Sequence, residues 1–170
     1  MPTPVLIIAI GNESRGDDAL APLLLRRLQQ QAADRRIELQ EDFQLQVEHA
    51  ADLAGRELVL FVDAGMDTPA PFSFYPIQPD SGRTLFSHAI APQAVLATYL
   101  QVYRQAPPPA FVLCLRGEQF ELGEPLSPAG EQHLQQAWAF LRELLQETTA
   151  AAWQKRCVSA ATQASTTAPC

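Results

Sequence analysis

The chain has 170 residues, 47% of them hydrophobic and 18% charged, with a formal net charge of -7 at pH 7. That apolar share supports one buried core and speaks against wholesale disorder. The acidic balance would repel a phosphate backbone, and the basic pairs Arg26-Arg27 and Arg35-Arg36 stand alone, so no nucleic-acid partner is expected. Cys114, Cys157 and Cys170 form no CxxC or other ligand-like spacing, which predicts neither a disulfide framework nor a zinc ribbon and fits a reducing cytoplasm.

Val5 to Ile10 is continuously apolar and β-branched, the pattern of a strand covered on both faces of a parallel sheet. It lacks a basic leader and stops at Gly11-Asn12-Glu13, too short for a membrane span and wrongly flanked for a signal peptide. No membrane partner is expected. A helix is predicted from about Asp17 to Gln31, with Leu20, Leu24 and Leu28 at i, i+4 and i+8 and Pro22 tolerable only near its first turn. Residues 43 to 48 alternate Phe-Gln-Leu-Gln-Val-Glu, which predicts a half-buried strand. A second continuous strand is expected at Leu58 to Val62, an edge strand at Phe72 to Ile77 and a helix from about Pro92 to Tyr103. Pro107-Pro108-Pro109 breaks the chain before a third buried strand at Phe111 to Leu115. Ser127-Pro128 supplies an N-cap and a first-turn proline for a helix running to about Gln146. Leu134, Trp138, Leu141 and Leu145 make its apolar stripe. Residues 1 to 147 therefore read as one domain, and 148 to 170, rich in Ala, Thr, Ser and Gln, as a low-complexity, disordered tail in which Trp153 is the residue able to dock.

Strands alternating with helices imply a three-layer α/β/α sandwich around a mostly parallel central sheet, with ligands bound beyond the carboxyl ends of the strands. The unusual residues fall at those ends: Asn12 with Asp17-Asp18, Asp63, and Arg116-Gly117. Gly11 to Gly16 is not a phosphate loop, because carboxylates stand where Lys and Ser or Thr are needed. It is not a nucleophile elbow either, since Asn12 replaces the first glycine of Gly-x-Ser-x-Gly. Asp17 and Asp18 serve the helix dipole on one reading. Asp63 ends an apolar strand, where a carboxylate needs a cation or donor to offset desolvation, or else caps the following loop. Together with His88, before the helix-opening Pro92, the acids form a plausible N/O site for a divalent first-row metal. His49 and His133 are weaker candidates, the latter expected to face solvent. There is no HExxH helix, and Cys114 inside its apolar strand is expected to carry an inert thiol.

These motifs resemble the hydrogenase maturation protease family. The resemblance lies in the opening strand with Gly11-Asn12 and the Gly16-Asp17-Asp18 step, the Val62-Asp63-Ala64 strand end, the histidine before Pro92, and the Leu126-Ser127-Pro128 turn. It spans roughly residues 3 to 147. Gln44 to Glu48 departs from the glycine-rich stretch of many members and looks more like the branch serving bidirectional, NAD-linked hydrogenases.

The resemblance implies a cytoplasmic endopeptidase that trims the C-terminal extension of a nickel-loaded hydrogenase large-subunit precursor. The nickel is carried by the substrate, with no tightly held cofactor of the enzyme's own. The family's metal-contacting trio maps onto Asp18, Asp63 and His88. In some members the histidine directly follows the proline, where this chain has Gln93, which leaves Gln93 as the alternative contact. Asn12, Asp17, Gln44 and Gln46 are candidate substrate-binding residues, and a monomer is expected. The competing readings are a non-catalytic metal- or nucleotide-binding flavodoxin-like module and a peptide hydrolase acting on another substrate.

Overall fold

The computed structural model describes residues 2–31, 33–80 and 90–157. Five strands, β1 (Val5–Ile10), β2 (Ile37–Asp42), β3 (Leu58–Gly65), β4 (Phe72–Ile77) and β5 (Ala110–Arg116), form one sheet in the order β2-β1-β3-β5-β4. The first four in that order run parallel, and β4 pairs antiparallel with β5 at the edge. Pro76, which cannot donate to a ladder, is tolerated because β4 has a neighbour on one side only.

Every residue of β1 is buried, as its unbroken apolar sequence demands of a strand covered on both faces. Val5, Ile7 and Ala9 face one core, with α1 (Leu20–Gln29), α4 (Pro128–Leu144) and α5 (Ala150–Lys155). Leu6, Ile8 and Ile10 face the other, where α3 (Pro92–Tyr103) packs beside the short α2 (His49–Asp52). The architecture is the expected three-layer α/β sandwich. Among the described residues no helix is long and apolar enough to cross a membrane.

Three expectations need correction. Residues 43 to 48 are not a strand: the second strand is Ile37–Asp42, paired with β1 from Val5↔Ile37 to Ile10↔Asp42. Ile37 and Leu39 pack on the core, whereas of the predicted inward trio Phe43 is 69% exposed and only Leu45 is buried. The alternation at 43–48 is sequence periodicity without a neighbouring strand to pair with.

Second, the chain after residue 147 is not wholly a tail. Thr149 caps α5 by accepting a hydrogen bond from Ala152 N–H, and Trp153 is fully buried. Its indole packs edge-on against Phe74 and Phe111, and its N–H donates to the carbonyls of Leu144, the last residue of α4, and of Glu147 in the turn that follows. An aromatic of that size with a satisfied donor holds down a segment whose composition alone could not. Residues 158–170 lie outside the described residues. Third, Cys114, buried in β5, is disulfide-bonded, which corrects both the expectation of an inert thiol and the reading of three unpaired cysteines suited to a reducing compartment.

Candidate functional site

The parallel ladder carries the ends of β1, β2, β3 and β5 to one edge of the sheet. From β1 the chain moves outward to β2, then returns to β3 on the other side of β1, so the direction of winding reverses between β1 and β3. In open α/β sheets this reversal leaves a crevice at the carboxyl ends. Asp18, in the connection after β1, and Asp63, near the end of β3, flank it.

Gly11 sets the path after β1. Its φ of +157° brings the backbone so close that any Cβ would collide with the carbonyl oxygen of Asp18. A turn of 3-10 helix, Gly16–Ala19, follows before α1 begins at Leu20. The two adjacent aspartates of that turn have opposite fates.

Asp17 points inward and has no exposed surface. Its carboxylate accepts from Glu118 N–H at 2.7 Å, Gln119 N–H at 3.3 Å, Ser127 N–H at 2.8 Å and the Ser127 hydroxyl at 2.6 Å. Burial would raise its pKa, but these donors outweigh it and hold the carboxyl below the usual value. Ser127 in turn accepts from Gly130 N–H at 2.9 Å as the N-cap of α4. Asp17 thus ties the start of α1 to the loop after β5 and to the last long helix. Its side chain is sealed from solvent in this structure.

Asp18 faces the crevice, half-buried, and accepts from Asn12 N–H at 2.8 Å. Burial raises its pKa, against the lowering effects of that bond and of Arg15. Asp63 lies on the α3 side of β3: Val59 and Phe61, its alternate neighbours, belong to that core, and Cys114 sits opposite it on β5. One Asp63 oxygen accepts from the following Ala64 N–H at 2.8 Å. Burial first, and then the negative charge of Asp18, push the Asp63 carboxyl up to about 7, against the lowering effect of that hydrogen bond. The two acids are therefore close enough to repel each other. Tyr75 on β4, which sequence reading did not single out, belongs to the same group: burial and the charge of Asp63 raise its phenol.

Asn12 spends its side-chain oxygen on Ser14 N–H at 2.9 Å and so shapes the turn that carries Asp18. Gln44 and Gln46 are exposed on the loop after β2, at the same edge of the sheet. Gln93 is half-buried in the first turn of α3, where its carbonyl accepts from Asp80 N–H at 3.1 Å. His88 lies outside the described residues. His49 follows that β2 loop, with Nε2 3.4 Å from Asp42 and Nδ1 accepting from Gln46 N–H at 2.9 Å. His133 is not the solvent-facing residue expected of it: its Nδ1 lies 2.7 Å from the carbonyl of Arg116. Among the described residues no three His, Cys, Asp or Glu side chains gather as a metal site, so the described chemistry is a pair of oxygen donors. A cavity of about 680 Å³ lies elsewhere, between the end of α1, the start of β2 and α4, and contains neither acid.

No protein-family model and no curated protein matches the sequence. Solved structures do. The [NiFe] hydrogenase maturation protease HycI from Thermococcus kodakarensis superposes with a TM-score of 0.65 at 20% identity, over 85% of this chain and 94% of that one. The fold is that of the hydrogenase maturation proteases. The maturating endopeptidase HybD from E. coli matches with a TM-score of 0.61 at 23% identity, over 84% and 93% of the two chains. The hydrogenase 2 maturation peptidase from a Thaumarchaeota archaeon gives 0.62 at 19%, over 85% and 99%. These likenesses cover nearly the whole of each neighbour.

Proposed function

We propose that this chain is a cytoplasmic, monomeric endopeptidase. It removes the C-terminal extension of a nickel-iron hydrogenase large-subunit precursor after nickel insertion, in the branch that serves NAD-linked hydrogenases. The observation that carries the reading is the mutually repelling pair Asp18 and Asp63 at the winding reversal of a maturation-protease fold. Two half-buried carboxylates that repel each other form a site suited to a divalent cation, which between them would relieve the repulsion and favour the ionised form of both.

In this proposal the cation is nickel already held by the substrate. Asp18 and Asp63 complete its coordination, with His88 as the third contact and Gln93 as the alternative. The described chain resumes at Ile90, two residues past His88, packed on the core that Asp63 faces, which supports that assignment. Nickel held there would act as recognition key and as Lewis acid toward the scissile carbonyl or a water. Asn12 holds the Asp18 turn in place. Gln44 and Gln46 offer exposed amides to an extended peptide, and the exposed Phe43, Val47 and Met66 offer it apolar contact at the same edge.

The test is mass spectrometry of a hydrogenase large-subunit precursor, with and without nickel, incubated with this protein. Shortening of the nickel-loaded form alone is expected, and its loss in folded Asp18→Ala and Asp63→Ala. Equal cleavage without nickel, or full activity in both variants, would overturn the assignment. His88→Ala and Gln93→Ala, compared side by side, decide which residue completes the site.

A further inference from the structure

Arg116 is the last residue of β5, opposite Gly65 and two positions beyond Cys114, the partner of Asp63. Residues alternate between faces along a strand, so Arg116, Cys114 and Asp63 share the α3 side of the sheet. One strand across and two residues along, the Arg116 and Asp63 Cα atoms stand about 8 Å apart by strand geometry. The backbone here is clamped: Arg116 N–H donates to the Pro71 carbonyl at 3.0 Å, its carbonyl lies 2.7 Å from His133 Nδ1, and Gly117 N–H donates to Gly65 at 3.0 Å.

The head group is under-used by comparison. A guanidinium carries five N–H donors. Among the described residues one interaction is made, Nη1 to the Thr68 carbonyl at 3.1 Å, while Nε is buried with no acceptor. No carboxylate among the described residues pairs with it. Buried donors without partners are rare because each forfeits its hydration. Nε itself is sealed from solvent, but the residue as a whole is half-buried, and the Nη donors that Thr68 leaves unused are the ones suited to receiving an oxygen from outside. The neighbouring acids and the net charge of -7 disfavour an anionic ligand, which leaves the neutral carbonyl of a peptide.

We propose that Arg116 is a positioning residue that binds a backbone carbonyl oxygen of the substrate peptide beside the Asp18–Asp63 pair and so sets which bond reaches the acids. The inference rests on the peptidase reading above. It is tested with nickel-loaded precursor, the full-length protein, and the variants Arg116→Met and Arg116→Lys, measuring kcat and KM separately and thermal melting alongside. Binding present equally in ground and transition states shows in KM. KM should rise about tenfold in Arg116→Met, the scale of one hydrogen bond from a charged donor. Arg116→Lys should give a smaller rise, with kcat within about twofold of wild type in both.

Unchanged KM in the folded variants overturns the inference while leaving the peptidase reading intact, and a fall in kcat alone overturns the positioning role. If Arg116→Met fails to fold, Arg116→Lys decides by the same criterion. Failure of the wild-type protein to cut the loaded precursor overturns both readings together.

Discussion

Replacing Asp63 by Asn should make the free protein more stable at neutral and alkaline pH and leave it unchanged in acid. In the folded chain the carboxyl is pushed from 3.8 up to about 7, by burial first and by the charge of Asp18 second. Below the unfolded value both states hold the proton, and Asp63 contributes no difference. Between about 4 and 7 the folded state holds a proton that the unfolded state has released, so wild-type stability falls as pH rises. Above about 7 the penalty is complete. A shift of that size corresponds to about 4 kcal/mol, and the partial opening of the side chain to solvent brings the expectation to roughly 2 kcal/mol.

Asparagine keeps an oxygen to accept the Ala64 N–H but has no charge to desolvate. Urea unfolding of both proteins from pH 4 to pH 9 should give curves that coincide at the acid end and separate as pH rises. Parallel curves across the range, or a variant that is less stable at pH 8, would refute the raised carboxyl and with it the repelling pair.

Asp17→Ala should cost about 3–5 kcal/mol in chemical denaturation, because it leaves four donors around a sealed space without an acceptor. Its folded pKa is lowered, so the stability it contributes is present above the usual carboxylate value and is lost as pH falls through the folded one. Gly130→Ala, conservative for an exposed helix, should lower the melting temperature by several degrees, because the new Cβ would lie 2.5 Å from an Asp17 oxygen and 3.0 Å from the Ser127 hydroxyl. Trp153→Ala should cost about 3–5 kcal/mol, and a chain ending at residue 147 should show increased binding of a hydrophobic dye as Phe74 and Phe111 lose their cover.

Much of the fold was legible because the buried strands carry their signal locally. Val5–Ile10 and the run from Leu58 to Val62 are apolar without interruption, and only the interior of a parallel sheet hides both faces of a strand. Pro92 and Pro128 marked the starts of α3 and α4 because each removes a donor that a helix's first turn does not use. The place of the second strand was not readable. Ile37 to Gln40 and residues 43 to 48 both alternate, and the choice fell to the segment that reaches β1 in register. Trp153 was legible as a residue able to dock, but where it docks was not, since the hole it fills lies between β4, β5 and α4.

By itself, the sequence determined which residues are carboxylates, where the buried strands lie, and that ligands would bind beyond their carboxyl ends, where Gly11 to Asp18 falls. Only the tertiary structure separated Asp17 from Asp18. Adjacent in the chain and alike in chemistry, they differ because the 3-10 turn aims one at the amides of the loop before α4 and the other into the crevice toward Asp63. Arg116 follows the same logic: the sequence places it at a strand end, but its empty donors depend on what the neighbouring segments leave unfilled. Whether a polar group is a structural tie or a chemical tool is decided by its partners, and those come from distant parts of the chain.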